Sequence, residues 1–199
     1  VINHSDESAF YKRIVSNIDN ISEYVCSAKE KDTIIWEKKL ENIFPDLIER
    51  MQLIDTLTYL PDDILTKVDR ASMNYSLEVR VPFLDNEVVE KAWELPLSKK
   101  INRGHGKIIL KNILSNHMPK NLFERPKMGF GIPLDKILRT TLKPKVEYYL
   151  FSEELKYQNL FNLNLYRIRW KEHLNEDRNW QFLIWNFLVF QIWYERWIK

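Results

Sequence analysis

The sequence predicts an all-α protein, and three observations carry that reading. Apolar residues recur at steps of three and four along most of the chain. The 8 prolines stand where helices would begin or stop. Only 4 glycines occur in 199 residues, and no stretch alternates apolar and polar with the period of a strand. So little glycine also argues against a turn-rich sandwich and against a glycine-rich dinucleotide or P-loop fingerprint.

The elements follow in order. Phe10, Ile14, Ile18, Ile21 and Val25 form one stripe, which predicts a first helix with Ser5 or Asp6 as its N-cap. Cys26 falls beside that stripe and reads as a small core residue. Asp32 and Thr33 open a second segment carrying Ile34, Ile35, Trp36, Leu40, Ile43 and Phe44. Pro45 stands at the first position of a third helix, whose stripe is Leu47, Ile48, Met51, Ile54 and Leu57. Pro61-Asp62-Asp63 repeats the device, with two acids at the positive end of a helix that runs to about Ser76. Residues 78–83 are extended, because Pro82 drives Val81 out of the α region. Asp85 caps a short helix through about Glu94.

A basic turn over residues 98–107 leads into a helix with Ile108, Ile109, Ile113 and Leu114. Pro119 and Pro126 bracket a loop that reaches Pro133. Leu134, Ile137, Leu138 and Leu142 make a short helix that stops before Pro144. Ser152, Glu153 and Glu154 mark another helix start. Two more helices are predicted, one over residues 162–174 and one from Glu176 onward. The last is apolar almost all round, which predicts burial at the centre of a bundle.

Composition narrows the function. Hydrophobic residues are 45% and charged residues 29%, the balance of a globular protein. A net charge of +2 removes the main reason to expect a nucleic-acid partner. The single Cys26 excludes an internal disulfide, and His4, His105, His117 and His173 lie too far apart to read as a metal site. The apolar run over residues 182–194 is shorter than a membrane span and is broken by Asn186 and Gln191. The chain opens without a signal-peptide apolar region and without an initiator methionine. It therefore reads as a piece of a longer cytoplasmic protein, with no membrane partner.

Chemistry concentrates in two places. All four glycines fall in one stretch, in Gly104-His105-Gly106-Lys107 and in Lys127-Met128-Gly129-Phe130-Gly131-Ile132-Pro133. Glycine lets backbone amides approach a ligand, and a lysine stands beside each pair. Lys107 and Lys127 therefore read as contacts for a phosphorylated ligand, with Gly129 and Gly131 on a lid; the alternative is an ordinary turn and an ordinary loop. The second place is the charged run with Asp63, Asp69 and Arg70, followed by Glu78, Arg80 and Asp85. It reads either as a ligand-facing surface or as an ion-pair network that holds two helices together.

These residues resemble a family. Pro61-Asp62-Asp63-Ile64-Leu65-Thr66-Lys67-Val68-Asp69-Arg70-Ala71-Ser72-Met73 and then Ser76-Leu77-Glu78-Val79-Arg80-Val81-Pro82-Phe83-Leu84-Asp85 look like the signature of glutamine-dependent asparagine synthetases. Gly106-Lys107-Ile108-Ile109-Leu110-Lys111 and Arg125-Pro126-Lys127-Met128-Gly129-Phe130-Gly131-Ile132-Pro133 follow in the same order. The resemblance implies the helical, C-terminal portion of an α/β adenine-nucleotide-hydrolase-like synthetase domain, spanning residues 1–199.

In that family the domain activates the aspartate side chain with ATP and Mg²⁺, and the β-aspartyl adenylate takes ammonia from glutamine. The resemblance implies that Lys127 contacts the phosphates and the adenylate, and that Lys107 reaches the same anionic region. Asp69 would lie near the acceptor, and Asp63, Arg70, Glu78, Arg80 and Asp85 would shape the cleft floor. The family's N-terminal cysteine nucleophile, its Ser-Gly-Gly-x-Asp-Ser pyrophosphate loop and its magnesium-holding acids are not in this sequence. The implied partners are therefore the remainder of the synthetase domain and an N-terminal glutaminase domain, with aspartate, glutamine and ATP as substrates. Nothing in the sequence opposes a homo-oligomer. Alone, the piece is expected to be inactive and to hold no metal. Other readings are a ligase acting on another carboxylate, such as a surface-polysaccharide sugar acid, and a non-catalytic helical interaction module.

Overall fold

A computed structural model describes residues 7–30, 33–34, 39–102, 104–126, 129, 131–156 and 159–198. The protein is all-α among these residues, apart from one minimal hairpin. In chain order the helices are α1 (Glu7–Val15), α2 (Ile21–Tyr24), α3 (Lys39–Ile43), α4 (Leu47–Leu57), α5 (Thr66–Met73), α6 (Asn86–Glu94), α7 (Leu97–Lys100), α8 (Ile108–Ser115), α9 (Leu134–Arg139), α10 (Lys143–Phe151), α11 (Glu153–Lys156), α12 (Leu163–Leu174) and α13 (Gln181–Trp197). The chain divides into two compact units, one of Val1–Trp36 with Gly129–Lys199 and one of Glu37–Met128.

The first unit owns the core. Leu138, Val146, Leu150 and Ile184 are fully buried, and Trp170, Phe187 and Leu188 nearly so. α13 packs on α9, α10 and α12. Rings interlock across it: Phe161 meets Phe187 edge-on at 5.3 Å, and Tyr166 lies 4.7 Å from the same ring. Backbone bonds tie α2 to the entry of α12. The Cys26 amide donates to the Leu160 carbonyl at 2.9 Å, and the Asn162 amide to the Tyr24 carbonyl at 2.9 Å.

Several boundaries differ from the sequence reading, each for a local reason. The stripe over residues 10–25 is two helices, because Asn20 takes an extended conformation and caps α2 by accepting from the Ser22 amide. Cys26 is exposed, not a core residue. α4 begins after Pro45, since the Asp46 carboxylate accepts from the Ile48 and Glu49 amides and is the true N-cap. Pro144 does not separate α9 from a loop. It lies in the first turn of α10, where a missing N–H costs nothing. α13 starts at Gln181 and buries only one face; Phe182, Val189 and Trp193 remain exposed. The proposed caps Ser5 and Asp6 lie outside the described residues.

The second unit is thinly packed. Among its described residues only Leu40, Arg50 and Ile54 are buried. α4 ends at its C-cap Thr58, which leaves the helical region at φ −125° and ψ −73°, and a π-helical segment, Leu60–Leu65, then leads into α5. The Thr66 hydroxyl donates to the Pro61 carbonyl at 2.8 Å and helps hold that wide turn. Val81 is extended, at φ −113° and ψ 94°, but the expected extension does not reach Phe83, because Pro82–Leu84 closes into a 3₁₀ turn. The basic turn holds a hairpin in which Ile101 pairs with Gly106 and Asn102 with His105. Gly104 has φ +78°, a conformation that glycine adopts without strain.

Candidate functional site

The hairpin delivers the chain to α8 through Lys107. This residue is the N-cap and lies in the left-handed region, at φ +61° and ψ 35°. A lysine there costs about 1 kcal/mol that glycine would not. No side chain caps α8, so its first-turn amides are left to solvent or a ligand. The Lys107 carbonyl accepts from the Lys111 amide at 2.9 Å and starts the helical ladder. The side chain is exposed. A positive charge and free amides thus meet at one point, the chemistry an anion needs.

Lys107 also lies on the edge of a cleft of about 870 Å³ formed by α6, α8 and the hairpin. Phe83, Val88, Ala92, Leu95, Ile109 and Leu110 line it. Phe83 lies in the 3₁₀ turn Pro82–Leu84, but Asp63, Asp69, Arg70, Glu78, Arg80 and Asp85 do not line this cleft.

The other candidates are placed as follows. Asp69 is exposed on α5, and its carbonyl accepts from the Ser72 hydroxyl at 3.1 Å. Asp63 lies 3.6 Å from Lys67, one turn along the helix, at an exposed site where such a pair is worth little. Arg70 is exposed in the last turn of α5. Glu78 and Arg80 pair at 2.6 Å, with both side chains exposed, where such a pair is worth little. The Asp85 carboxylate accepts from the Glu87 amide at 3.0 Å and caps α6.

Lys127 lies outside the described residues. Gly129 and Gly131 belong to the first unit and are exposed. A Cβ at Gly106 or Gly131 would meet nothing within 4 Å, and at Gly129 only the Gly131 nitrogen at 4.0 Å. None of the three has a positive φ. Neither packing nor backbone conformation among the described residues therefore demands glycine at these positions. Among the described residues no three or more His, Cys, Asp or Glu side chains converge in a way that would hold a metal ion.

Sequence reasoning missed a polar cluster in the first unit. A cavity of about 320 Å³ is lined by Arg13, Asn17, Arg169, Arg178 and Trp180, among others. The Arg169 and Arg178 guanidiniums lie 4.5 and 4.2 Å from the Trp180 ring. The Trp180 indole N–H donates to Glu172 at 2.6 Å and, with Arg169, holds that carboxyl below its usual range. Beneath it His173 is fully buried, and its Nδ1 accepts from the Trp180 amide at 3.2 Å. Burial pushes the His173 pKa down. Arg169 lies on α12 and Arg178 in the turn that follows it, and no spacing rule brings them together.

Comparison with known proteins settles the family. The asparagine synthase family model matches residues 7–195. The chain belongs to the asparagine synthase family.

A Mycobacterium tuberculosis protein named "Putative asparagine synthetase (glutamine-hydrolyzing)" is 35% identical over 149 residues, which is 75% of this chain and 23% of that protein. Asparagine synthetase (glutamine-hydrolyzing) 1 of Bacillus subtilis is 29% identical over 147 residues, covering 74% of this chain and 23% of its own. Asparagine synthetase (glutamine-hydrolyzing) 3 of the same organism is 33% identical over 112 residues, 56% of this chain and 18% of its own. The chain thus spans about a quarter of the length of the curated relatives it matches. No solved structure matches it. Among the described residues no helix is long and apolar enough to cross a membrane.

Proposed function

We propose that this asparagine synthase family chain is the helical part of a synthetase domain. That domain converts the side-chain carboxylate of aspartate to an amide, using ATP and ammonia released from glutamine. One observation carries the reading: Lys107 stands in a strained left-handed conformation at the uncapped start of α8. Strain of this kind persists where surrounding structure or function requires it. The lysine ammonium and the first-turn amides of α8 suit the phosphates of ATP. Lys127, with Gly129 and Gly131 beside it, would add a second charge on a loop that closes over the reacting carboxylate and excludes water. Asp69 would orient the acceptor. Mg²⁺, when bound, neutralises phosphate charge; the residues described here offer it no ligand set.

The test uses a polypeptide that also carries the remaining synthetase and glutaminase parts. Lys127→Ala should abolish aspartate-dependent pyrophosphate release and leave glutamine hydrolysis intact. An unchanged rate of pyrophosphate release would sink the assignment. Replacing aspartate with other carboxylates in the same assay identifies the acceptor.

A further inference from the structure

The polar cavity beside Trp180 lies wholly within the first unit, between α2 with the segment before it and the turn that joins α12 to α13. Its volume of about 320 Å³ is near the lower end for small-molecule sites, roughly 300–1,000 Å³. That size suits a small metabolite.

Charge pairing along the wall says which kind. The charged lining residues are Arg13, Asp19, Glu23, Arg169 and Arg178. Arg13 pairs with Asp19. Arg169 pairs with Glu172 at 3.1 Å, and the other oxygen of Glu172 accepts from the Trp180 indole at 2.6 Å. Arg178 and Glu23 are left, one of each sign, and among the described residues neither makes an ion pair. Each is held by a neutral neighbour instead. The Arg178 guanidinium lies 4.2 Å from the centre of the Trp180 ring, and the Glu23 carboxylate accepts from the Asn20 side-chain amide at 3.1 Å. A cation and an anion that share one cavity but do not pair with each other match a ligand carrying one charge of each sign. Between them the wall offers an apolar surface, Ile18, Phe182 and Leu183, and the side-chain amides of Asn17 and Asn179.

We propose that this cavity binds a free α-amino acid as its zwitterion, with the carboxylate on the Arg178 guanidinium, the ammonium on the Glu23 carboxylate and the side chain against Ile18, Phe182 and Leu183. A phosphate or a dicarboxylate would meet Glu23 as a like charge, and a simple amine would meet Arg178 in the same way. The amino acid is bound and not transformed; it ties α2 to the turn between α12 and α13. Neither Lys107 nor Asp69 lines the cavity, so this site and the reaction proposed above stand or fall separately.

The test is isothermal titration calorimetry on the 199-residue chain. The probes are L-glutamine, whose side chain ends in an amide, and L-leucine, whose side chain is apolar. Their N-acetyl and carboxamide derivatives and inorganic phosphate serve as controls. At least one amino acid should bind, and removing either of its charges should weaken binding at least about tenfold. Arg178→Gln and Glu23→Gln should each weaken it as much, and Arg178→Lys should recover part of the loss. Both side chains are exposed, so circular dichroism and melting temperature should stay as they are in these variants. Three results would each overturn the proposal. One is that neither amino acid binds. Another is that phosphate or an N-acetyl derivative binds as tightly as the amino acid, which would make this a plain anion site. The third is that Glu23→Gln leaves binding unchanged. None of these bears on pyrophosphate release, which the Lys127→Ala comparison reads independently.

Discussion

Two phenylalanines five positions apart on α13 should differ sharply in their contribution to stability. Phe187 is 1% exposed, and its ring contacts those of Phe161 and Tyr166. Phe182 is 50% exposed. Truncating a buried phenylalanine to alanine costs about 3–5 kcal/mol, the sum of lost transfer energy and the cavity left behind. Each ring pair accounts for roughly 0.5–1.5 kcal/mol beyond area. Phe187 has two such neighbours and no solvent face, so Phe187→Ala should fall in the upper part of that range. Phe182→Ala should cost below about 1 kcal/mol, as exposed substitutions do. Urea unfolding followed by circular dichroism measures both, through a shift in midpoint at constant slope. Equal shifts for the two variants, or a Phe187→Ala cost under about 1 kcal/mol, would refute the assignment of the core to the α13 face that bears Leu183, Phe187 and Leu188.

Other outcomes follow from the same geometry. His173 is held below its ordinary pKa first by burial and then by Arg139, so the unfolded chain binds the proton more tightly. Its contribution is complete above about pH 6.5 and is lost as the pH falls below that value, so urea midpoints should drop between pH 7 and 5. In His173→Gln that part of the drop should vanish. Asp46→Ala removes the cap that accepts from the Ile48 and Glu49 amides at 2.8 and 3.3 Å, and should cost about 1 kcal/mol; amide exchange should quicken in the first turn of α4, and Asp46→Asn should restore it. Lys107→Gly should raise the melting temperature, because glycine adopts φ near +61° freely, while lowering pyrophosphate release in the complete polypeptide. A variant that is both more stable and fully active would show that the lysine has no role.

Much of this was legible because caps and stripes are local signals. Asp85 and Asn162 stand where the sequence put the starts of α6 and α12, and their carboxylate and amide oxygens accept from the first-turn amides. The helix from Ile108 and the extended backbone of Val81 before Pro82 follow from equally local rules. What escaped depends on which neighbour arrives. Pro144 reads as a stop, but it is tolerated at the start of α10, and only the packing of Val146, Tyr149 and Leu150 makes a helix there. Cys26 lies beside an apolar stripe that breaks before reaching it. In the candidate site, a lysine at the start of α8 was visible beside Gly106, but its left-handed backbone was not, because nothing in its side chain favours φ above zero. The pairing of Arg169 and Arg178 on Trp180 comes from the turn between α12 and α13, which no periodicity encodes.

The wide turn at Leu60–Leu65 has a geometric consequence for everything after it. One extra residue in a helix offsets the angular phase of later side chains by about 100°, since an ordinary turn holds 3.6 residues. A helical wheel drawn straight through Pro61 would therefore misplace Asp69 and Arg70 by about that angle. With Thr58 breaking the backbone just ahead of that turn, the apolar stripe of α4 does not dictate which way the charged side of α5 faces.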